Sequence, residues 1–301
     1  MTYSEIWHRI ATSYDDGEAR AIARILIEEL FGLSYTDIVC GATEQLSADD
    51  TLRLDTAVRR IEQGEPLQHV LGYADFCGNR FCVNGSVLIP RPETEWLVDE
   101  GAKLMDGCIA SDETQHKAPH SPKRILDIGT GSGCIAISLK LRLGDAYVEA
   151  WDISEEALRT AQDNADALKA EVVFRKRDAL RADNTAAPWD LIVSNPPYIC
   201  DSERSAMDDN VLLHEPHTAL FVPDDDPLRF YRAIARYALL TLNIGGSLLF
   251  ECNTRYAEAT GKMLSDMGFE EVTVSDDCFG LPRFVRGRKN SPSQPSPSGR
   301  A

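Results

Sequence analysis

The sequence has no apolar run long enough to cross a bilayer, and its opening, "MTYSEIWHRI", lacks the apolar centre of a secretory signal. Both absences point to the cytoplasm. There is no surplus of positive charge either: 31 Lys and Arg stand against 48 Asp and Glu, a formal net charge of −17. Phosphate backbones call for clustered cations, so general binding of DNA or RNA is disfavoured and a basic protein partner suits the surface better. Cysteines occur at 40, 77, 82, 108, 134, 200, 252 and 278, but no two make a CxxC pair, and Cys77 and Cys82 are too far apart for a zinc knuckle. They read as reduced thiols packed as small apolar side chains. No metal spacing links His69, His214 and His217. There is no internal repeat.

What is present divides in two. Residues 1 to about 73 carry helical periodicity. In "ARAIARILIEELFG", Ile22, Ile25, Leu26 and Leu30 share a face and Gly32 is placed to stop the helix. "SADDTLRLDTAVRRIEQG" repeats the pattern with Leu52, Leu54, Val58 and Ile61, closed by Gly64. Segment 76–89, "FCGNRFCVNGSVLI", alternates between Gly and Asn turns and predicts a β-hairpin. "PRPETEWLVDEGAKLM" predicts a helix with Pro92 in its first turn and Glu93 and Glu95 at its positive end. Residues 106–123 are polar and read as a loop.

From residue 124 the pattern changes. "RILDIG", "AYVEAWD", "VVFRKRD", "DLIVSN", "GSLLFE", "EEVTV" and "RFVRGR" are short apolar runs separated by helical stretches, the pattern of a mostly parallel sheet wrapped by helices. The expected organisation is a helical domain over 1–73, a hairpin linker over 74–90, an α/β domain over 91–289 and a disordered Ser/Pro-rich tail over 290–301.

"RILDIGTGSGCIAISL" is a strand, a glycine turn and a helix, with Gly129, Gly131 and Gly133 spaced G-x-G-x-G. Glycine lets the backbone turn sharply and approach a ligand. The dinucleotide fingerprint G-x-G-x-x-G is not matched, and the Gly-Lys-Ser/Thr of a P-loop is absent. Three acids close successive strands: Asp127, Asp152 and Asp178. A carboxylate after the second strand can accept from both hydroxyls of a ribose, and one after the third can reach an adenine amino group. Any one of them could instead only cap a turn. Together they suit a ligand with a ribose and a cationic amino group, and they would repel pyrophosphate. With the loop they resemble the class I S-adenosylmethionine-dependent methyltransferases.

The fourth strand ends in Asn195-Pro196-Pro197-Tyr198. Two prolines stiffen the turn. A planar amide or arylamine nitrogen is a poor nucleophile, so a site that methylates it must hold both N–H groups. The Asn195 side-chain oxygen and the Pro196 carbonyl can each accept one, and both favour positive charge developing on nitrogen. Prolines fix these acceptors in advance, and Tyr198 offers a ring face to the planar group. The bland alternative is a strand-ending turn with a packed tyrosine.

"EPLQHVLGYADFCGNRFCVNGSVLIPRPETEWLV", "DIGTGSGCIAISL", "SNPPYI", "HEPHTALF" and "GLPRFVRGR" together resemble the PrmC/HemK family, the peptide chain release factor glutamine methyltransferases. The resemblance runs from residue 1 to about 289. It implies N5-methylation of the glutamine side-chain amide in the Gly-Gly-Gln motif of release factors, with S-adenosylmethionine as cofactor. It implies Asp127, Gly129, Thr130, Gly131, Ser132, Gly133, Asp152, Asp178, Ala179 and Asn195 about the cofactor. Asn195, Pro196, Pro197 and Tyr198 would hold the substrate, with Asn195, Pro196 and Tyr198 catalytic. The N-terminal helices and hairpin would dock the release factor, and a monomer is expected. Glu251, at a strand end, reads as structural. Two other readings compete: a DNA adenine methyltransferase, against which the acidic balance counts, and a non-catalytic module that binds a translation factor.

Overall fold

The structure, a computed structural model, describes residues 1–110, 122–182 and 188–290. The chain forms two compact units. One comprises residues 1–74, 82–89 and 204–216; the other comprises the described residues of 75–81, 90–203 and 217 onward.

The first unit is built from helices α1 (Tyr3–Ile10), α2 (Asp16–Phe31), α3 (Tyr35–Val39), α4 (Ala48–Glu62) and α5 (Leu67–Leu71). Thr2, Asp15, Ser34 and Ser47 each cap a start with a side-chain oxygen, and Gly32 and Gly72 end helices in the left-handed region. Ile6, Ile10, Ile22, Leu26, Ile27, Leu54, Val58 and Ile61 form its core. Leu52 does not join them and is 65% exposed. At 100° per residue it lies on the far side of α4 from the Leu54–Val58–Ile61 stripe. Arg9 grips both Glu62 oxygens and Asp55, each at 2.7 Å, tying α1 to α4.

The hairpin falls earlier than its expected range. It pairs β1 (Tyr73–Phe76) with β2 (Asn79–Cys82). The turn is Cys77-Gly78, with φ of 48° and 73°. The Asn84-Gly85-Ser86 signal belongs instead to a turn in which Asn84 Oδ1 accepts from the Ser86 amide and hydroxyl. Pro92–Thr94 forms a short 3₁₀ turn, and α6 (Glu95–Ala110) follows it. Residues 106–110 of the expected loop at 106–123 therefore belong to α6; residues 111–121 and the tail from 291 lie outside the described residues.

The second unit carries strands β3 (Arg124–Ile128), β4 (Tyr147–Asp152), β5 (Val172–Lys176), β6 (Trp189–Ser194), β7 (Ile199–Cys200), β8 (Phe221–Val222), β9 (Leu242–Glu251), β10 (Glu270–Asp276) and β11 (Pro282–Arg288). Helices α7 (Cys134–Leu143), α8 (Glu155–Leu168), α10 (His217–Leu220), α11 (Arg229–Thr241) and α12 (Ala257–Asp266) run between them; α9 (Asp209–His214) belongs to the first unit. Seven strands form one sheet in the order β10-β11-β9-β6-β3-β4-β5. All its pairs are parallel except those of β11, which is antiparallel to both neighbours.

Trp189, Leu191, Ile192 and Val193 are fully buried, as befits a strand covered on both faces. Cys134, Cys200 and Cys252 are buried small side chains, but Cys40, Cys82 and Cys278 are exposed. The sheet reverses its winding between β3 and β6, so the carboxyl ends of those strands open onto a crevice. No helix among the described residues is long and apolar enough to cross a membrane.

Candidate active site

Ser194 closes β6 by donating its hydroxyl to the Ile128 carbonyl at 2.6 Å, which locks the ends of the two switch-point strands together. The next residues on each side are Asn195 and Gly129. A Cβ on Gly129 would lie 4.0 Å from the Asn195 main-chain oxygen, so the glycine loop and the Asn-Pro-Pro-Tyr turn share one edge. The Gly129 and Thr130 amides both donate to the Trp151 carbonyl at 2.9 Å, pulling the loop across the end of β4. Gly133 packs most tightly. A Cβ there would sit 2.9 Å from Ile137 Cδ1 and 3.1 Å from Ala161 Cβ, at a φ of +82°. It is glycine because α7 and α8 close over it.

The three strand-end acids each hold backbone. Asp152 accepts from the Gly131 amide on one oxygen and the Ser154 amide on the other, both at 2.9 Å. Asp178 accepts from Leu180 at 2.9 Å. Asp127 is wholly buried and takes the Thr130 hydroxyl at 2.6 Å on Oδ2. Its Oδ1 has no partner of good geometry among the described residues. Burial pushes the Asp127 carboxyl up to about 7, against the pull of Thr130 and the Ala136 amide. Asp152 is also raised by burial, with the Ser154 and Gly131 amides opposing.

A cavity of about 330 Å³ opens at this edge. Gly129, Asp152, Asp178, Ala179, Pro196 and Pro197 line it, with Ile153, Leu180 and Phe230 as apolar walls. Six of the expected site residues therefore meet in one pocket. Asp127, Thr130 and Ser132 are buried in the loop and shape it, and neither Gly131 nor Gly133 reaches the cavity wall. Asn195 and Tyr198 also stand outside the lining.

Those last two residues look onto a different group. Thr94, buried in the 3₁₀ turn before α6, donates its hydroxyl to Glu251 Oε2 at 2.7 Å. Asn195 Nδ2 approaches Thr94 Oγ1 at 3.5 Å, and the Tyr198 hydroxyl donates to Glu251 Oε1 at 3.3 Å. Burial and the Glu251 charge push the Tyr198 phenol far above its ordinary value. Burial likewise raises the Glu251 carboxyl, while Thr94, Arg283 and Tyr198 pull it down. Glu251 thus does more than end a strand; it joins the Asn-Pro-Pro-Tyr turn to the Thr94 segment. The turn's other end is pinned by the Tyr198 amide donating to the Leu220 carbonyl at 3.2 Å and by the pairing of β7 with β8. Thr94 carries no sequence signal by itself. It lies in "IPRPETE", a segment characteristic of the resemblance, and only the fold shows why it is there.

Family models match in two places: the PrmC N-terminal domain over residues 8–72 and the methyltransferase small domain over residues 96–220. A release factor glutamine methyltransferase of Bacteroides thetaiotaomicron is 43% identical over 277 residues, covering 92% of this chain and 95% of that one. The chain belongs to the release factor glutamine methyltransferase family. A second member, from Flavobacterium psychrophilum, is 36% identical and covers 92% and 94% of the two chains. Among solved structures, the catalytic domain of hMettl16 aligns with a TM-score of 0.52 at 18% identity, covering 83% of this chain and 85% of that one. That likeness is one of fold, a methyltransferase-type sheet. Family membership covers both units described above, the helical one included.

Proposed function

We propose that this protein transfers the methyl group of S-adenosylmethionine to the side-chain amide nitrogen of a release-factor glutamine. One observation carries the reading: the Asn195–Tyr198 turn shares an edge with Gly129, and Pro196 and Pro197 line the same cavity as Gly129 and Asp152. The residues present fit the cofactor. Carboxylates at two strand ends suit a ribose and an amino group, Ile153, Leu180 and Phe230 suit a flat apolar ring, and Asp127 Oδ1 is a buried acceptor without a donor of good geometry. When bound, S-adenosylmethionine supplies a methyl group on a cationic sulfur.

The chain's own work is to hold and orient. Asn195 Oδ1 and the Pro196 carbonyl accept the two N–H groups of the glutamine amide, leaving the nitrogen turned toward the donor. Both acceptors stabilise the cationic nitrogen of the transition state, and the rigid turn spends little entropy on orientation. The alkylated nitrogen is strongly acidic, so no base is needed before attack.

The helical first unit docks the substrate protein. A cleft of about 780 Å³ within it, walled by Asp15, Glu18, Asp208 and Asp209, suits a basic segment. Burial and the neighbouring Asp15 and Asp208 raise the Glu18 carboxyl, as in a region short of cations. No role is assigned to nucleic acid.

The test is incubation with labelled S-adenosylmethionine and a release factor, followed by peptide mapping. Label on the Gly-Gly-Gln glutamine is expected. Its absence there, with the protein folded and binding the cofactor, would end the substrate assignment.

A further inference from the structure

Asn195 can do its work only if its amide is turned the right way. The side chain presents an oxygen on one side and an NH₂ on the other, nearly equal in size. If the NH₂ faced the substrate, two donors would oppose each other and the glutamine N–H would have no acceptor. Something must choose between the two rotations.

The atoms behind the turn supply a choice. An ionised carboxylate only accepts hydrogen bonds. Glu251 receives two, from the Thr94 hydroxyl at 2.7 Å on Oε2 and from the Tyr198 hydroxyl at 3.3 Å on Oε1. A threonine hydroxyl has one proton. Once that proton points at Glu251, the Thr94 oxygen has only lone pairs left for its other neighbour. That neighbour is Asn195, 3.5 Å away at the long end of the bonding range, and the group facing Thr94 is Nδ2. The opposite rotation would set Oδ1 against those lone pairs. No donor among the described residues meets Oδ1.

We propose that Thr94 and Glu251 are positioning residues that fix the rotation of the Asn195 amide through a one-way hydrogen-bond chain, so that Oδ1 is presented to the substrate nitrogen. This rests on the functional reading above and adds what sets its central acceptor. The need for direction explains a carboxylate at 251, since a glutamine there could donate or accept and would leave the chain undirected. The same carboxylate holds the Tyr198 hydroxyl, so one group aligns both ends of the turn. Charged and titratable groups face it on several sides: Arg283 from β11, Glu93 beside Thr94, and Tyr198. Arg283 is itself bonded to Asp277 at 2.7 Å.

The test separates direction from structure. Thr94→Val removes the hydroxyl at nearly constant volume, and Thr94→Ser keeps it. With the full chain, labelled S-adenosylmethionine and a release factor, Thr94→Val should lower kcat roughly tenfold, the effect of one lost orienting hydrogen bond. KM for the protein substrate and the cofactor Kd should hardly move. Thr94→Ser should stay close to the wild type. Wild-type kcat in the valine variant, or an equal loss in the serine variant, overturns the proposal. Should the valine variant fail to fold, Thr94→Ala is judged by the same two outcomes.

A second readout needs no turnover. In the wild-type protein the Asn195 side-chain NH₂ protons should show a nuclear Overhauser contact with the Thr94 methyl group, and its absence overturns the proposal. If the wild type methylates no release factor, the functional reading falls while this contact still decides the amide's rotation.

Discussion

At the scale of single residues, half-buried Asn195 and wholly buried Asp127 make opposite demands. In its proposed role Asn195 presents an oxygen, and it lies outside the cavity lining. Its loss should therefore strike catalysis and leave cofactor affinity nearly intact. Asn195→Ala is expected to lower kcat by about two orders of magnitude, near 3 kcal/mol, by analogy with removing one stabilising partner of a developing charge. Single-turnover kinetics alongside calorimetric titration of S-adenosylmethionine would separate the two effects. Asp127 is the reverse case, a carboxyl whose charge the fold disfavours.

The folded Asp127 titrates at about 7 against an ordinary 3.8, so between those values the folded protein holds a proton that the unfolded chain has released. Stability from this group is full at low pH and falls as pH rises toward 7, by an upper bound of roughly 4 kcal/mol. The ligand-free wild type should accordingly lose melting temperature between pH 5 and pH 8 relative to Asp127→Asn. Parallel melting curves for the two proteins across that range would count against the buried, weakly partnered carboxyl.

At the scale of elements, the glycine loop works by what it excludes. Gly133 has both a left-handed φ and a filled Cβ position between α7 and α8. Gly133→Ala should destabilise the protein by about 1–3 kcal/mol and weaken cofactor binding, read by thermal melting and calorimetry. Gly131 has open space at its Cβ position, so only backbone strain at φ +54° applies there and the penalty of Gly131→Ala should be smaller.

All seven strands of the main sheet were legible as short apolar runs bounded by turn residues, the central ones because they are buried on both faces and the edge strands β5 and β10 by their β-branched residues alone. Their order was not, since nothing in "EEVTV" or "RFVRGR" says that the later run inserts between the earlier one and β9. The hairpin was misplaced because "NGS" is as good a turn signal as "CGN", and only register decides between them. The two-residue strands β7 and β8 are too short for any periodicity. At the site, Asp152, Asp178 and the Asn-Pro-Pro-Tyr turn could be read from their places after strands. Thr94 and Glu251 could not, for their meaning lies in a contact between residues 157 positions apart.

At the scale of the whole molecule, a net charge of −17 acts at long range. Encounter with a basic protein partner should be steered by this field and screened by salt. KM for the release factor should rise between low ionic strength and about 0.3 M salt, where screening shortens to a few ångströms. The cofactor Kd should change less, because its cavity sets Asp152 and Asp178 against Arg177 and Arg229 between apolar walls. An unchanged KM across that range would show that surface charge does not guide the encounter.

The placing of β11 sets an order of assembly on the ribosome. Emerging from the tunnel, β9 has its inner edge on β6 at once, but its outer edge, from Ser247 to Glu251, finds no partner until residues 284–288 are made. For that interval β10 has no strand partner among the described residues, where it pairs with β11 alone. The nascent chain thus exposes a long apolar margin open to mispairing with other chains. Arg283 arrives on the same late strand, so the charge that faces Glu251 and Tyr198 is among the last parts of the candidate site to be installed.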